Sequence, residues 1–575
     1  MCKRIMSALL IAPSLLHAAA PLELESSQGM VVTSQHHASE VGAAILRQGG
    51  NAIDAAVAVG YALAVTHPCC GNLGGGGFMT IHLANGRNTF INFRERAPLA
   101  ARPDMFLDAQ GKVVGSRSLD GYLAVGVPGT VMGLETAREK YGTLPRTVLI
   151  APAIKLAEEG FALTRGDVDV LAEGTDGFRK EANVAAIFLH QGQPFIPGDR
   201  LVQKELASTL RAISSAGPDA FYRGAIPAAI SAASRAHGGL LTPEDFAAYT
   251  VTEYAPVTCA YRGYTIVSAP PPSSGGITLC EMLQILEGYP LKALGFHSSG
   301  EVHVMTEAMR FAYRDRNTYL GDPAFIDNPT TRLISPQYAE KIRAQIQPDR
   351  ATPSSSLQGL AAADEHATTT HYSVVDRLGN AVAVTYTIND SFGAKVIAGN
   401  TGFFLNDEMD DFTAKPGVPN VFGLVQGKAN AVAPGKRPLS SMTPTLLFKD
   451  GKPAFVVGTP GGSRIITTVL EVIVNVIDHG MTLQEAIDAP RIHNQWLPDT
   501  VGAEPFALST DTIKALTAMG YKVVPLENWG AGNAVEAVGI APADAAAAKA
   551  LGFPRPGVFY GASDSRAPAG SASAP

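Results

Sequence analysis

The chain has 575 residues, of which 46% are hydrophobic and 17% are charged, and its formal net charge is −7. This is an ordinary globular composition with ample length for a large buried core. A negative balance without a basic stripe argues against a nucleic-acid-binding protein, so no nucleic-acid partner is expected.

The first predicted element is an export signal. Lys3 and Arg4 precede the mostly apolar run 5–16, which is too short to span a bilayer. A small-residue cleavage pattern ends at Ala20, so we expect residues 1–20 to be removed. No later run predicts a membrane helix. The protein is therefore expected in the periplasm or outside the cell.

The first half of the chain is predicted to be helix-rich. Residues 39–48 form a short helical pattern with Ser39 as its cap, and residues 51–66 are apolar nearly all round, which predicts a buried helix. The loop "GNLGGGGF" then leads into a strand. It lacks the Gly-Lys-Ser/Thr ending of a phosphate loop, so we expect close backbone packing there. Further helical patterns lie at about 130–141, 147–159, 202–214, 222–236, 276–287 and 300–317.

Four cysteines follow the export signal: Cys69, Cys70, Cys259 and Cys280. Export permits disulfides, but four cysteines in so long a chain are not a disulfide framework, and pairing of two adjacent cysteines is strained. We interpret them as small buried hydrophobes. A zinc site with His67 is disfavoured because no second Cys/His pair follows at ligand spacing.

The pattern changes after about residue 345. Residues 346–367 are polar and aperiodic, and they are followed by short strand-like runs such as "THYSVVD", "NAVAVTYTI", "PTLLFKD" and "PAFVVG". Helical patterns return at about 463–478 and 482–488, and the tail 567–575 is low in complexity and expected to be disordered. Helices, then strands, then helices predict sheets sandwiched between helical layers.

Thr368, Thr369 and Thr370 stand where the polar loop meets the first of these strands. They can simply open a strand, since β-branched residues favour one. Alternatively, a threonine at a chain terminus can use its own α-amine, with a pKa of about 7.7–8.0, as the base that activates its hydroxyl. An internal threonine reaches that state by cutting the chain ahead of itself, which needs a flexible stretch before it and a rigid strand after it.

Three more motifs add groups that suit such chemistry. A glycine pair in "GTPGGSRIITTV" can form an oxyanion hole or only a tight strand–helix turn. "KRPLSSMTPT" offers two hydroxyls, and "NDEMDDF" offers carboxylates or only a solvated acidic loop. The residues concerned are Gly461, Gly462, Ser440, Ser441, Glu408, Asp410 and Asp411.

Together with "HPCCGNLGGGGFM", "INFRERAPLAA", "GVPGTVMGLE", "PPPSSGGI" and "YGASDSR", these motifs resemble the γ-glutamyltransferase (γ-glutamyltranspeptidase) family, in collinear order over nearly the whole mature chain. The resemblance implies an α+β N-terminal-nucleophile hydrolase fold, a four-layer αββα sandwich. It also implies self-cleavage into a large subunit, 21–368, and a small catalytic subunit, 369–575, which stay associated as a heterodimer.

The resemblance also assigns the catalytic residues. The family's nucleophile lies two residues before the motif histidine, here His371, so the nucleophile is expected to be Thr369 and the cut to fall between Thr368 and Thr369. Thr387 matches a second threonine that supports the Thr369 amine and hydroxyl. The oxyanion-hole pair is matched by Gly461 and Gly462.

For the substrate's amino-acid head, the resemblance assigns donors to one side and acceptors to the other. Arg94 matches the residue that grips the α-carboxylate, helped by two serines; an arginine fork suits a carboxylate. An acidic set matches the residues that hold the α-ammonium. The two serines are Ser440 and Ser441, and the acidic set is Asp411 with Asn389 and Glu408. Arg96 is interpreted as structural.

The implied activity is transfer of a γ-glutamyl group from glutathione, or a similar γ-glutamyl amide, to water or to an amino-acid or dipeptide acceptor. No metal or organic cofactor is expected. One position departs from the family pattern, because a tyrosine that bonds the residue matching Asn389 is expected in the lid where Phe422 stands. We therefore expect a less firmly latched lid.

Two alternatives remain. A cephalosporin or glutaryl acylase of the same family would act on substrates without an α-amino group and would not need Asp411. A non-catalytic exported binding protein with this fold would be expected to have lost Thr369 or the glycine pair, and the sequence keeps both.

Overall fold

The computed structural model describes residues 23–357, 369–526 and 534–575. The predicted export signal, 1–20, and Thr368 lie outside the described residues. The strands are β1 Leu24–Ser26, β2 Gly29–Thr33, β3 Gly76–His82, β4 Asn88–Asn92, β5 Phe161–Ala162, β6 Arg200–Leu201, β7 Thr252–Tyr254, β8 Val257–Tyr261, β9 Tyr264–Ser268, β10 Thr370–Asp376, β11 Ala381–Thr387, β12 Thr445–Lys449, β13 Lys452–Gly458, β14 Ile492–His493, β15 Val501–Ala503, β16 Val523–Pro525, β17 Glu536–Ile540, β18 Phe559–Ser563 and β19 Ser571–Ser573.

The helices account for most of the remaining regular structure. They are α1 His36–Arg47, α2 Ala52–Thr66, α3 Thr130–Tyr141, α4 Arg146–Glu159, α5 Arg165–Glu173, α6 Thr175–Phe178, α7 Ala182–Phe188, α8 Lys204–Ala216, α9 Pro218–Tyr222, α10 Ala225–Ala236, α11 Pro243–Ala247, α12 Gly275–Leu286, α13 Leu291–Leu294, α14 Ser299–Tyr319, α15 Thr330–Leu333, α16 Pro336–Arg343, α17 Arg464–Ile477, α18 Leu483–Asp488, α19 Thr510–Ala518 and α20 Ala545–Ala550.

Two seven-stranded sheets form the centre of the molecule. One has the order β1-β18-β17-β13-β12-β9-β8, and the other has the order β19-β2-β10-β11-β3-β4-β7. Every pairing within these two sheets is antiparallel. The predicted strand block is confirmed, because the runs quoted from the sequence become β10, β11, β12 and β13.

Three layers of buried side chains show how the sheets are stacked. Val32, Val375 and Val456 belong to a cluster between the two sheets. A second cluster packs α1 to α4 and α8 against the outer face of the sheet that contains β10. A third packs α12, α14 and α17 against the outer face of the other sheet. The layers therefore follow the predicted order αββα.

The long predicted helices are present, with small differences at their ends. α1 begins earlier than predicted, since the side chain of Gln35 accepts from His37 N and caps the helix, whereas Ser39 lies inside it. Ser39 was therefore the wrong cap. α2 is buried along its whole length, as predicted, and Asn51 and Asp54 form a capping box at its start.

The cysteines differ from the prediction. Cys69 and Cys70 form a disulfide with each other, and Cys259 of β8 forms one with Cys280 of α12. The Cα atoms of the second pair are 5.9 Å apart, a normal disulfide spacing, and only the packing of α12 on β8 brings them together. Cys69, Cys70 and Cys280 are buried, as predicted, but the four cysteines are paired in disulfides, which was not expected. His67 lies beside the first pair, but sulfurs bonded to each other are not thiolate ligands for a metal.

The tail also differs from the prediction. β19 pairs with β2 at the edge of its sheet, and Ser39 Oγ donates to the carbonyl of Ser571 at 2.7 Å. The expected disorder of 567–575 was therefore wrong, because the edge of β2 supplies hydrogen-bond partners that a compositional rule does not see. In the described ranges, no helix combines the length and the apolar character needed to cross a membrane.

Candidate active site

The nucleophile candidate lies at the start of a central strand. Thr369 directly precedes β10, where Thr370 is paired with Tyr386 of the antiparallel β11. The next position outward therefore sets Thr369 opposite Thr387, and their hydroxyl oxygens are 3.4 Å apart. Thr370 turns to the opposite face, as alternation predicts, and donates to Ser34 Oγ at 3.4 Å. The strand thus presents only one of these two threonines to Thr387.

The histidine that marks the motif has a separate place. His371 Nδ1 lies 2.8 Å from Thr385 Oγ1, and its Nε2 lies 3.1 Å from Ser373 Oγ. Burial lowers the pKa of His371 to about 3. The ring is therefore neutral near pH 7 and links β10 to β11, so it is not suited to donate a proton during a reaction.

Thr387 is held through its backbone and its side chain. Its hydroxyl accepts from Asn389 N at 2.8 Å, and its carbonyl accepts from Asn72 Nδ2 at 3.0 Å. A Cβ atom on Gly75 would lie 2.0 Å from that same carbonyl oxygen, so only glycine fits there. The glycine-rich loop packs closely against this strand, as predicted.

The glycine pair forms the turn between β13 and α17. Gly461 and Gly462 have φ angles of 133° and 54°, in the region that favours glycine. Arg464 N donates to the carbonyl of Gly461 at 3.0 Å, which closes the turn as α17 begins. Backbone N–H groups at such a helix start suit a developing negative charge.

A cavity of about 260 Å³ joins these elements. Its wall is formed by Arg94, Thr369, Thr387, Asn389, Glu408, Asp411, Phe422, Ser440, Ser441, Met442, Gly462 and Ile465. The structure therefore brings together every residue predicted for catalysis and substrate binding except Gly461, which is the chain neighbour of Gly462. Met442 and Ile465 also line the cavity, although no feature of the sequence singled them out.

Arg94 lines the cavity with partners that the sequence analysis did not anticipate. Its guanidinium is fully buried and forms ion pairs with Glu408 and Asp411, the residues assigned to the substrate's ammonium. Nε donates to the carbonyl of Pro438 at 3.2 Å, and Glu95 lies 3.6 Å from Nη1. The predicted donors and acceptors are thus one ion network, and one cation faces three carboxylates.

The buried carboxyl groups have altered acidity. Burial raises the pKa of Glu408 well above its usual range, although Arg94 acts in the opposite direction. Burial likewise raises the pKa of Asp411, and that of Glu95 to about 7. Among the described residues, Glu408 Oε2 has no hydrogen-bond partner. An ammonium group bound beside these carboxyl groups would favour their ionised forms.

Phe422 covers one side of the cavity and is buried. Its N–H donates to Asn420 Oδ1 at 3.0 Å, and its carbonyl accepts from Gln495 Nε2 at 3.1 Å. The N–H of Val421 donates to Asp410 Oδ2 at 2.9 Å. The segment is therefore held through its backbone, without the side-chain hydroxyl that a tyrosine would supply.

Asp410 gives this segment a dependence on pH. Burial raises the pKa of Asp410 to about 7, whereas the unfolded chain has an ordinary value of about 3.9. Its stabilising contribution is complete below the unfolded value and is lost as pH rises through about 7. Asp410→Asn keeps an oxygen that accepts from Val421, so we expect it to raise the melting temperature at about pH 8.5 more than at about pH 4.

The control for that measurement is Asp104→Asn, because the Asp104 side chain is 70% exposed. We expect this variant to show no comparable pH-dependent gain. An equal gain for Asp410→Asn at both pH values would contradict the assignment.

The match to known proteins decides the family. The family model of γ-glutamyltranspeptidase matches residues 38–574. The chain belongs to the γ-glutamyltranspeptidase family. A glutathione hydrolase proenzyme from Pseudomonas sp. (strain A14) is 57% identical over 551 residues, covering 96% of this chain and 95% of its own length. Another, from Escherichia coli (strain K12), is 50% identical, covering 94% of this chain and 91% of its own length.

A solved structure also matches this γ-glutamyltranspeptidase family member. The cephalosporin acylase from Bacillus halodurans superposes with a TM-score of 0.83 at 27% identity and covers 99% of both chains. The predicted α+β N-terminal-nucleophile hydrolase fold is confirmed.

The sequence analysis had missed Arg316, whose Nη2 donates to Ser441 Oγ at 3.1 Å. No local motif marks Arg316, because its contacts are distant in sequence.

Proposed function

We propose that this family member is a self-processing γ-glutamyltransferase and glutathione hydrolase whose nucleophile is Thr369. The observation that carries the proposal is the cavity itself. It joins the Thr369–Thr387 pair, the glycine turn and a buried set of charged and hydroxyl groups suited to an amino-acid head. A simple strand start would need neither the glycine turn nor the buried set of charged and hydroxyl groups.

In the proposed mechanism, Thr369 Oγ1 attacks the γ-amide carbonyl of the donor. The α-amine of Thr369, freed by cleavage after Thr368, takes the hydroxyl proton and delivers it to the leaving amine. The N–H groups of Gly461 and Gly462 stabilise the oxyanion. A γ-glutamyl ester of Thr369 remains, and water or the amine of an acceptor resolves it. Amino acids and dipeptides are the proposed acceptors, and ping-pong kinetics are expected.

The head of the donor is proposed to insert into the ion network. Ser440 and Ser441 bind the α-carboxylate together with Arg94, while Asp411, Asn389 and Glu408 bind the α-ammonium. The buried Glu408 Oε2 supports the second part, since among the described residues it has no hydrogen-bond partner and a buried carboxylate oxygen in that state suits an ammonium donor. No metal or organic cofactor takes part in these steps.

We further propose that the exported precursor, 21–575, is cut into the subunits 21–368 and 369–575, which remain paired in the periplasm or outside the cell. β10 and β11 of the small subunit lie between β2 and β3 of the large one. Separating the two subunits would break the hydrogen bonds of both outer pairings, so association after the cut is expected.

The acylase alternative is represented by the superposed cephalosporin acylase. A glutaryl-type substrate carries no α-ammonium, so in such an enzyme the buried carboxylates would neutralise Arg94 but would have no substrate cation to bind. Asp411 and Glu408 in the cavity wall therefore favour γ-glutamyl donors. The binding-protein alternative is disfavoured by the retained Thr369 and glycine turn.

Intact mass and N-terminal sequencing of the purified protein test the proposal. We expect two fragments, the smaller beginning Thr369-Thr370-His371, and faster hydrolysis of a γ-glutamyl anilide than of a glutaryl anilide. A chain that stays uncut after long incubation would contradict the mechanism, since it would have no free α-amine. Faster hydrolysis of the glutaryl anilide would instead support the acylase.

The lid residue gives a second prediction. Phe422→Tyr adds a hydroxyl that can reach toward Asn389 and latch the segment, so we expect a changed ratio of hydrolysis to transfer. Release of glutamate and formation of γ-glutamyl dipeptide are measured with the same donor. The control is Phe404→Tyr, because Phe404 belongs to the hydrophobic cluster on the outer face of the sheet that contains β10. An unchanged ratio for Phe422→Tyr would contradict the proposed latch.

A further inference from the structure

Arg316 of α14 stands behind the cavity and is 1% exposed. Its guanidinium donates to Ser441 Oγ at 3.1 Å, to Ser274 Oγ at 3.2 Å and to Gln426 Oε1 at 2.8 Å, and Nη1 also reaches Asn317 Oδ1. All of these partners are neutral oxygen atoms. Burial lowers the pKa of Arg316 to about 10, so the group keeps its charge near neutral pH.

The N–H groups of Arg316 determine whether the hydroxyl of a serine in the cavity wall acts as donor or acceptor. A guanidinium has donors only, so Ser441 Oγ must be the acceptor of that hydrogen bond. Ser440 Oγ similarly accepts from Met442 N at 3.1 Å. Within the described ranges, neither hydroxyl has a protein acceptor for its own proton. Both serines are therefore prepared to donate to a ligand in the cavity.

Two further serines, which precede α12, hold the backbone of the Ser440–Met442 segment. Ser274 N and Oγ donate to the carbonyl of Ser440 at 2.8 and 2.7 Å, and Ser273 Oγ donates to the carbonyl of Met442 at 2.6 Å. These contacts explain the motif "PPPSSGGI". Because Arg316 bonds Ser274 as well as Ser441, it fixes the serine segment both directly and through this support.

The two buried arginines differ in whether charged partners neutralise them. Arg94 is neutralised by Glu408 and Asp411, whereas Arg316 faces neutral partners beside the serine hydroxyls. The serine side of the cavity therefore has a buried cation whose direct hydrogen-bond partners are neutral, while the carboxyl groups lie on the side of Arg94. A zwitterionic amino-acid head matches this separation, with its carboxylate toward the serines.

We propose that Arg316 is a positioning residue that fixes Ser441 as a hydrogen-bond donor to the α-carboxylate of the donor substrate. This inference rests on the proposed function, which assigns the cavity to a γ-glutamyl head. Arg316 does not need to touch the substrate. It acts through the Ser441 hydroxyl, which it orients and, by its charge, makes a stronger donor.

The test uses Arg316→Met, which removes the donors and the charge but keeps most of the volume. Three anilide donors are compared: γ-glutamyl, glutaryl without the α-ammonium, and 4-aminobutyryl without the α-carboxylate. We expect kcat/KM to fall roughly 10- to 100-fold for the first two, mainly through KM, because one charge-assisted hydrogen bond is lost. The 4-aminobutyryl donor should be processed about as well as by the parent.

A double variant shows whether the effect passes through the serine. Arg316→Met in a Ser441→Ala background should cost little beyond Ser441→Ala alone, since the hydroxyl that Arg316 orients is already gone. Arg316→Lys keeps the charge and one donor nitrogen in place of three and should recover part of the loss. Additive losses in the double variant would overturn the proposal.

Arg314→Met is the matched structural control. Arg314 lies on the same helix, is 18% exposed in its side chain and bonds Asp315 and Tyr338. We expect it to leave the preference among the three donors unchanged, whatever its effect on melting temperature. Equal losses on all three donors in Arg316→Met would overturn the positioning role but leave the proposed function intact. A correctly cut parent that is inactive on the γ-glutamyl anilide would overturn both.

Discussion

Thr369→Ala is expected to leave the protein as one uncut chain and to lower γ-glutamyl anilide hydrolysis by at least about 10⁴-fold. The variant removes the hydroxyl that attacks the preceding carbonyl during processing. It therefore also prevents release of the α-amine that acts as the base in catalysis. Both losses follow from a single oxygen atom, which makes this the largest effect we expect.

Thr369→Ser separates the two roles. A serine keeps a hydroxyl and, after cleavage, an α-amine, so we expect slower processing and reduced but measurable activity. Thr370→Ala is the matched control, because the Thr370 hydroxyl faces Ser34 on the other side of the strand. Intact mass follows processing, and anilide release follows activity. If Thr370→Ala blocked cleavage and Thr369→Ala did not, the nucleophile would be misassigned.

The second large effect is expected for Arg94→Met. It leaves Glu408 and Asp411 buried beside Glu95 without their cation, and breaking a buried pair in this way costs about 3–5 kcal/mol of unfolding free energy. The remaining carboxyl groups would take up protons to avoid uncompensated charge. We expect a lower midpoint of denaturant unfolding and loss of donor turnover.

Arg94→Lys and Arg96→Met complete this experiment. A lysine supplies one point charge and cannot bridge both carboxylates as the fork does, so only part of the stability should return. Arg96 is partly exposed and bonds Thr250 Oγ1 at 3.0 Å, and its replacement should cost less than about 1 kcal/mol. An unchanged unfolding midpoint for Arg94→Met would contradict a stabilising role of the ion network.

The lid segment around Phe422 is held by contacts that could not be predicted from the identity of residue 422 alone. The absence of a tyrosine hydroxyl at Phe422 was read from the sequence. The bonds that hold the segment in its place, from Val421 to Asp410 and from Gln495 to Phe422, join residues that no motif connects. A missing side-chain contact therefore does not by itself measure how firmly such a segment is held.

The sequence by itself determined the family, the layered fold and most of the cavity wall. Its motifs are local: the family resemblance assigned the nucleophile to Thr369, and the period-2 alternation of a strand placed Thr370 on the opposite face. Only the tertiary structure decided which charged groups face each other. The pairing of Arg94 with Glu408 and Asp411, the place of Arg316 behind Ser441 and the disulfide from Cys259 to Cys280 all join segments far apart in the chain. Composition and spacing carry no information on such contacts, because packing of the layers creates them.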